Sequence, residues 1–282
     1  TVGIPRALLT HTLFPLFSTF FKELGYEVVL SDIDPAMEFI ANAPFCYPTQ
    51  ILHGAVLDLI KKGVDWIFLP HVNALPKGEK WLDATFCPIS QAGPYFIGTA
   101  FDNTKMLRPV LNFREGYEED YALVEMAVKQ LNQRRKIADH AFRKAIEKQK
   151  EVERQFIELG KKTLEELEKT NETAIVLVGR SYNAFPPETS QLVPKKLASM
   201  GVSVIPFDFL EKTPVYDIPW YFGNYVKVAL DLVNKKDNLF LLYISSYSCT
   251  TDTFIQNYVR SEMKTKPYLL LELDAHTGDA GT

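Results

Sequence analysis

The chain has 282 residues, of which 46% are hydrophobic and 23% are charged, so it can bury substantial cores and is not expected to be disordered. This length suits two ordinary domains. Lys and Arg number 31 against 35 Asp and Glu, and the net charge of −4 leaves no basic footprint for binding nucleic acid. The sequence contains no run of about 18 apolar residues, so no membrane-spanning helix is predicted. The opening residues predict a strand rather than a secretory signal.

Residues 1–115 alternate short strands with helices, which predicts βαβ units and a parallel sheet. Gly25 and Gly63 stand where glycine commonly ends a helix. The predicted strands are residues 2–4, 27–30, 65–69 and 107–113, and the predicted helices are residues 13–24 and 49–62.

Residues 116–170 differ, because apolar side chains recur there with alternating spacings of about four and three on a charged background. Arg135 and Gln149 interrupt this stripe. One unbroken helix would be about 75–80 Å long, so two helices, paired as a hairpin or laid along a partner, are expected. The pattern leaves both intramolecular packing and a homodimer interface open. Its apolar members are Val124, Val128, Leu131, Ala138, Phe142, Ala145, Val152, Phe156 and Leu159.

Residues 171–282 return to alternation, with predicted strands at 173–178, 202–207, 239–244 and 267–273 and predicted helices at 189–200, 220–233 and 252–263. The predicted fold is therefore α/β, with two Rossmann-like or flavodoxin-like parallel-sheet domains at residues 1–115 and 171–282. Residues 116–170 form a helical insert that joins them. Because the chain begins without Met and stops soon after a strand, a segment of a longer polypeptide is expected.

Three cysteines, Cys46, Cys87 and Cys249, lie where a loop should leave a strand or begin a helix. This odd, low number argues against a disulfide scaffold and favours a reducing cytoplasm. Ligands bind beyond the carboxyl ends of parallel strands, so three thiolates from such loops could meet in a cleft and hold a metal with one open coordination position. The alternative is three inert thiols, because cysteine is often buried without a chemical role.

The metal is not fixed by the residues alone. Structural zinc sites usually contain close cysteine pairs, which this sequence lacks, although His71 or His276 could complete a zinc tetrahedron. A 4Fe–4S cubane held by three cysteines, with one iron open, is the other interpretation.

Several segments resemble the domain of large 2-hydroxyacyl-CoA dehydratase activase-related proteins, itself similar to the 2-hydroxyacyl-CoA dehydratase and double-cubane cluster protein family. The resemblance runs through nearly the whole chain and is weakest in the helical middle. Ser181 departs from the usual pattern, which has Pro at that position. The segments that carry the resemblance are Gly3-Ile4-Pro5-Arg6-Ala7-Leu8, Cys46-Tyr47-Pro48-Thr49, Cys87-Pro88, Gly179-Arg180-Ser181-Tyr182-Asn183 and Glu272-Leu273-Asp274-Ala275-His276-Thr277.

The resemblance implies an oxygen-sensitive protein from an anaerobic setting that receives low-potential electrons from an ATP-hydrolysing activase. It implies that Cys46, Cys87 and Cys249 bind a 4Fe–4S cluster and that the electrons pass to a substrate such as a 2-hydroxyacyl-CoA thioester. A double-cubane cluster would need thiolates from another chain or segment. Two alternatives stay open: an electron-transfer or scaffold module without turnover, and a metal-free two-domain protein that binds a small ligand.

Further polar residues follow the predicted strands, and the catalytic residues among them are not assigned. Arg180, Tyr182 and Asn183 could donate hydrogen bonds to cluster sulfurs or to an acyl group. Glu272, Asp274 and His276 could orient ligands or donate a proton. The sequence contains neither a Walker motif nor a glycine-rich phosphate loop, so no nucleotide site is predicted and the ATPase is assigned to a separate activase.

Overall fold

The structure is a computed structural model that describes residues 1–37, 46–102, 104–215 and 218–275. The chain divides into two units, here called unit 1 (Thr1–Lys77 with Thr85–Val152) and unit 2 (Gly78–Ala84 with Glu153–Thr282). Within the described residues there are three sheets, and every strand pair in them is parallel. The predicted α/β class with parallel sheets is therefore confirmed. The predicted domain boundaries stay a prediction.

Unit 1 contains a four-stranded sheet in the order β2-β1-β3-β5 and a two-stranded sheet of β4 and β6. The predicted strand at residues 107–113 is two short strands, and the helix that begins at Pro88 was not predicted. The strands are β1 (Val2–Ile4), β2 (Val28–Leu30), β3 (Trp66–Phe68), β4 (His71–Val72), β5 (Met106–Leu107) and β6 (Val110–Leu111). The helices are α1 (Thr10–Glu23), α2 (Tyr47–Lys61), α3 (Pro88–Ala100), a 3-10 turn (Tyr117–Glu119) and α4 (Ala122–Gln130).

The core of unit 1 is aromatic where α1 covers the sheet. The fully buried rings of Phe17 and Phe21 both meet the ring of Phe68 on β3 edge-to-face, at centroid distances of 4.8 and 4.9 Å. Such pairs add about 0.5–1.5 kcal/mol each to the burial of their surface. This packing fixes α1 against the strand whose carboxyl end leads toward α3.

A buried glutamine, Gln149, provides hydrogen bonds to the backbone of α1 on both sides of a proline. Pro15 lies inside α1, where its ring displaces neighbouring backbone and interrupts the helical hydrogen bonds. The Gln149 side chain donates from Nε2 to the Thr12 carbonyl (3.1 Å) and accepts at Oε1 from the Leu16 amide (3.2 Å). Thr12 and Leu16 are the two groups that an unbroken helix would pair with each other. Gln149 interrupts the apolar stripe because it bridges this gap.

The helical middle consists of two helices, as expected, with the break at residues 131–134. The second, α5 (Arg135–Thr170), has 36 residues, and a helix of this length extends about 54 Å. In unit 1 the apolar stripe is buried by the same chain at Val124, Ala138 and Phe142. Further along α5, Phe156 stays 38% exposed and Leu159 50% exposed. Intramolecular packing therefore explains the first part of the stripe, and a homodimer interface stays a prediction.

Unit 2 contains a four-stranded parallel sheet in the order β10-β9-β7-β8. The predicted helix at 189–200 is wrong as one element, because Gln191 and Leu192 both adopt left-handed backbone angles and divide it in two. The elements are β7 (Ala174–Gly179), α6 (Ser181–Ala184), α7 (Pro187–Ser190), α8 (Val193–Ser199), β8 (Ser203–Pro206), a 3-10 turn (Phe207–Phe209), α9 (Tyr221–Lys235), β9 (Leu239–Ser246), α10 (Thr250–Glu262) and β10 (Tyr268–Leu273).

None of the helices in the described ranges has an apolar stretch long enough to cross a lipid bilayer.

Candidate cysteine sites at the carboxyl edges of the sheets

Each cysteine is the residue immediately before a helix. Cys46 precedes α2, Cys87 precedes α3 and Cys249 precedes α10. The first backbone N–H groups of a helix have no partner within the helix, and the helix dipole places partial positive charge at this end. Of the three sulfurs, that of Cys249 accepts a hydrogen bond from these groups, from the Asp252 amide, whereas the Cys46 and Cys87 side chains make no such bond to their helices. These cysteines, all in the described part of the chain, form no disulfide with one another.

The three helix starts share a second feature, a hydroxyl group in the first turn that binds the cysteine carbonyl. Thr49 Oγ1 donates to the Cys46 carbonyl at 2.7 Å, and Ser90 Oγ donates to the Cys87 carbonyl at 2.8 Å. In unit 2 the corresponding donor to the Cys249 carbonyl is Thr253 Oγ1 at 2.9 Å. The same local arrangement thus fixes the backbone of each cysteine.

Within unit 1 the two cysteines begin neighbouring helices. A Cβ atom on Gly93 of α3 would lie 3.2 Å from the Leu52 side chain of α2, so the helices are in contact there. Cys46 and Cys87 each stand six residues before this contact. Both helices connect parallel strands and so run in the same direction, opposite to the strands. The two thiols therefore begin helices at the same edge of the sheet, with axes about 8–10 Å apart.

His71, considered as a zinc ligand, has polar protein atoms at both ring nitrogens. Nε2 lies 2.5 Å from Asn73 Oδ1, and Nδ1 lies 3.0 Å from the Tyr95 hydroxyl. His276, the other histidine considered, lies outside the described residues. Among the residues that the structure describes, no three His, Cys, Asp or Glu side chains are grouped so that they could hold a metal ion.

In unit 2 the sulfur of Cys249 has three polar neighbours that can donate hydrogen bonds to it. Arg180 Nη2 lies 2.6 Å from Sγ, the Asp252 amide donates to Sγ at 3.4 Å, and Thr251 Oγ1 lies 3.5 Å away. The Cys249 sulfur is therefore a hydrogen-bond acceptor at a point where donors from three residues meet.

Arg180 itself belongs to a buried charge network. It is 5% exposed, and its Nη2 also donates to Asp252 Oδ1 (2.8 Å) and to Thr251 Oγ1 (2.9 Å). Asp252, 4% exposed, accepts a further hydrogen bond at Oδ2 from Ser245 Oγ (2.6 Å). Burial, with the Asp252 carboxylate as a second cause, raises the pKa of Tyr243 well above its ordinary value, so the phenol stays neutral beside this network.

The end of β7 brings Arg180 to this network. Gly179 has φ of +147°, and a Cβ at this position would lie 2.3 Å from the Ile244 carbonyl oxygen of β9. Only glycine allows the two strands to approach this closely. Arg180 follows Gly179 and immediately precedes α6, and Cys249 lies between β9 and α10, so neighbouring parallel strands carry Arg180 and Cys249 to the same edge.

Two further polar side chains at the same edge have unused hydrogen-bonding capacity. Asn183, 1% exposed, has neither its amide nitrogen nor its amide oxygen paired, and Ser246 Oγ is unpaired, within the described ranges. Tyr182 is 4% exposed and packs edge-to-face on Phe222 at 5.8 Å. Arg180 also lies over the Tyr182 ring at 5.9 Å. The segment after β7 therefore supplies buried donors as well as apolar packing.

The segment after β10 is connected differently. Glu272 is exposed and accepts a hydrogen bond from Gln256 Nε2 on α10 (2.9 Å), and the Asp274 carbonyl accepts one from Gln191 Nε2 (3.2 Å). His276 falls outside the described residues. Their proposed roles in orienting a ligand or donating a proton therefore stay predictions.

Sequence reasoning did not select Thr251 or Asp252 as site residues. A usable signal was present, because Cys249-Thr250-Thr251-Asp252 places an acidic residue in the first turn of a helix, where its charge and backbone N–H are favourable. The contact of Asp252 with Arg180 had no such signal, since it depends on which strands are neighbours.

The cysteine set fits an iron–sulfur group in its chemistry. Thiolates are the usual ligands of such clusters, and hydrogen bonds to cluster sulfurs tune their potential. The orphaned Asn183 amide and Ser246 hydroxyl and the Arg180 guanidinium are donors of that kind. Cys46 and Cys87 belong to unit 1 and Cys249 belongs to unit 2.

Comparison with known proteins gives a family match. The model of a family described as "CoA enzyme activase uncharacterised domain (DUF2229)" matches residues 1–210, well over half of the chain. Cys46, Cys87 and Arg180 lie within the matched residues, whereas Cys249 and Asp252 lie beyond them. No curated protein matches the chain. On the strength of residues 1–210, the chain belongs to the CoA enzyme activase-related family DUF2229.

Proposed function

We propose that this chain binds a 4Fe–4S cluster through Cys46, Cys87 and Cys249 and receives low-potential electrons from an ATP-hydrolysing activase. The observation that carries the proposal is the shared position of the cysteines, each at the start of a helix that follows parallel strands. Membership of an activase-related family supports a functional connection with an activase. In this proposal the two units act as Rossmann-like domains, and ATP hydrolysis belongs to the activase.

When bound, the cluster would supply one-electron chemistry and a Lewis-acidic iron. The chain would supply the thiolates and the surrounding donors. Arg180 donates toward the Cys249 sulfur, and the unpaired amide of Asn183 and hydroxyl of Ser246 can bind a sulfide or a carbonyl oxygen. A thioester such as a 2-hydroxyacyl-CoA has such an oxygen, so we propose this class as the substrate. Without turnover, the same site would make the chain an electron-transfer module.

A specific observation favours a second candidate, a metal-free protein that binds a small ligand. Unit 2 has a groove of about 450 Å³. Its walls include Leu164, Leu210, Val228 and Leu232, and the Lys161–Glu211 ion pair (2.7 Å) lies at its rim. This volume and apolar character lie within the range of small-molecule sites.

The experiment that separates these functions is anaerobic reconstitution with iron and sulfide, followed by measurement of both elements per chain. The variants are Cys46→Ser, Cys87→Ser and Cys249→Ser, and Ser261→Ala on the exposed side of α10 is the control. We expect about four irons and four sulfides in the unchanged chain and in the control, with loss or instability in each cysteine variant. Absence of bound iron from the unchanged chain would overturn the proposal and favour the ligand-binding protein.

A second arm tests the electron source. With ATP and an activase of this class, the reconstituted cluster should become reduced, and the electron paramagnetic resonance signal of the reduced cluster should depend on ATP hydrolysis. A cluster that forms but accepts no electron from the activase would contradict the activase part of the proposal alone.

A further inference from the structure

We propose that Arg180 and Asp252 are positioning residues that set the reduction potential of the site in opposite directions through the Cys249 sulfur. Arg180 stabilises added negative charge at the sulfur, and Asp252 limits this effect by sharing the guanidinium. The inference rests on the proposed function, because it takes Cys249 as a cluster ligand.

The first argument is the geometry at the sulfur. The same guanidinium nitrogen, Arg180 Nη2, lies 2.6 Å from Cys249 Sγ and 2.8 Å from Asp252 Oδ1. Here one nitrogen stands between a sulfur and a carboxylate. Thr251 Oγ1 accepts from the same nitrogen, but only the sulfur and the carboxylate can carry negative charge, so these two compete for the positive charge of Arg180.

The second argument is burial. Arg180 is 5% exposed and Asp252 is 4% exposed, so solvent screens their charges poorly. Removing two charges from water is unfavourable, and a buried ion pair is weak evidence for a purely stabilising role. Because this pair also contacts a candidate metal ligand, its charges can act directly on the electrostatic potential at the Cys249 sulfur.

The third argument is the rigid support of each partner. Gly179 fixes the backbone before Arg180 by its close approach to β9. Asp252 is fixed twice, by the hydrogen bond from Ser245 Oγ to Oδ2 and by its own amide, which donates to Cys249 Sγ. The sulfur, the carboxylate and the guanidinium are thus held together by three backbone segments at one edge of the sheet.

These contacts predict shifts of opposite sign. One-electron reduction adds one negative charge to the cluster, and a donor to a ligating sulfur stabilises that charge. Arg180→Met removes the donor and the positive charge, so the midpoint potential should fall. Asp252→Asn removes a nearby negative charge and releases Arg180 toward the sulfur, so the potential should rise. A variant that merely loosened the fold would not reverse the sign.

The experiment is a one-electron redox titration of the reconstituted full chain with dithionite and ferricyanide, followed by electron paramagnetic resonance. Loss of one charge-assisted hydrogen bond should change the reduction equilibrium about tenfold, which is about 59 mV for one electron. We expect Arg180→Met to shift the potential down, Asp252→Asn to shift it up, and Ser261→Ala to leave it unchanged. Arg180→Lys keeps the charge and should give a smaller downward shift, which decides the question if Arg180→Met does not fold.

The outcomes separate the two proposals. If the unchanged chain holds a cluster but the Arg180 and Asp252 variants leave its potential unchanged or shift it in the same direction, the positioning role is overturned and the cluster proposal stands. If the unchanged chain holds no iron, the proposed function fails and this inference fails with it.

Discussion

The surroundings of Cys249 in unit 2 differ from those of Cys46 and Cys87 in unit 1, although all three residues begin helices in the same way. In unit 1 a proline follows each cysteine within the first turn, and apolar packing of α2 on α3 sets the positions. In unit 2 a buried guanidinium and a buried carboxylate surround the sulfur. A cysteine before a helix can therefore be positioned either by apolar packing, as in unit 1, or by a buried ion pair, as in unit 2. Only the ion pair places full charges beside the sulfur.

The largest expected effect on stability comes from breaking the charge network. Arg180→Met leaves Asp252 buried without its main counter-charge, and such a loss costs about 3–5 kcal/mol of unfolding free energy. Urea unfolding checks this value, and the double variant Arg180→Met with Asp252→Asn should recover part of the loss. Lys62→Met, which breaks half-exposed ion pairs in unit 1, is the comparison and should change stability far less. Equal losses in the two units would contradict the distinction drawn between them.

A second contrast concerns carboxyl groups. Burial raises the pKa of Asp208 in unit 2 from its ordinary 3.8 to about 7. Asp208 therefore binds more protons in the folded than in the unfolded chain between these values, and the unfolding free energy should fall as the pH rises from about 4 to about 7. The full difference is about 4 kcal/mol, and Asp208→Asn should remove this part of the pH dependence.

Asp34 in unit 1 should change the unfolding free energy with pH in the opposite direction. The hydrogen bond with Lys61, followed by that with the Ala36 amide, lowers the pKa of Asp34. Its contribution to stability is present above its ordinary pKa and is lost as the pH falls through the lowered value. Urea unfolding of Asp208→Asn, Asp34→Asn and the unchanged chain from pH 3 to about pH 8 measures both slopes. Parallel curves for Asp208→Asn and the unchanged chain would show that the buried carboxyl has no raised pKa.

Loss of the uncharged hydrogen-bond bridge made by Gln149 in unit 1 should have the next largest effect on the unfolding free energy. Gln149→Leu replaces the polar amide with an apolar side chain of similar size and so removes the bridge between the Thr12 carbonyl and the Leu16 amide. A buried amide and a partly buried carbonyl then lose a partner, which should lower the unfolding free energy by about 2–4 kcal/mol. Gln155→Leu, at an exposed position on the same helix, is the matched control. Similar stability of the two variants would contradict the assigned role of Gln149.

The smallest expected difference compares two glycines with nearly the same backbone. Gly179 in unit 2 has φ of +147° and Gly116 in unit 1 has φ of +142°. Alanine meets the Ile244 carbonyl at 2.3 Å in the first case and nothing closer than 3.5 Å in the second. Both substitutions strain the backbone, so the excess loss in Gly179→Ala, about 1–3 kcal/mol, isolates the strand contact. Thermal unfolding measures it, and equal losses would refute the contact.

The hydrophobic pattern was enough to predict much of this fold. Alternating strands and helices predicted parallel sheets, and the continuous apolar run at β7 matches a strand covered on both faces. The helix α3 was missed because Pro94 and two glycines inside it weaken its helical signal. The division of residues 189–200 was missed because Gln191 and Leu192 rarely take left-handed angles.

The site was less predictable than the fold. The positions of the cysteines near helix starts could be inferred from local sequence. The contact between Arg180 and Asp252, far apart in the chain, depends on β7 and β9 being neighbours in register, and nothing in either segment encodes that pairing. Gln149 was visible only as an interruption of an apolar stripe, because its backbone partners at Thr12 and Leu16 are also distant in sequence.

The most direct test of the central claim is X-ray absorption at the iron edge of the anaerobically reconstituted chain, for the unchanged protein and for Cys249→Ser. We predict iron surrounded by sulfur with an iron–iron shell in the unchanged protein, and a loss of that shell or an added oxygen neighbour in the variant. Iron bound only by oxygen or nitrogen, or the same spectrum in both proteins, would contradict cluster ligation by Cys249.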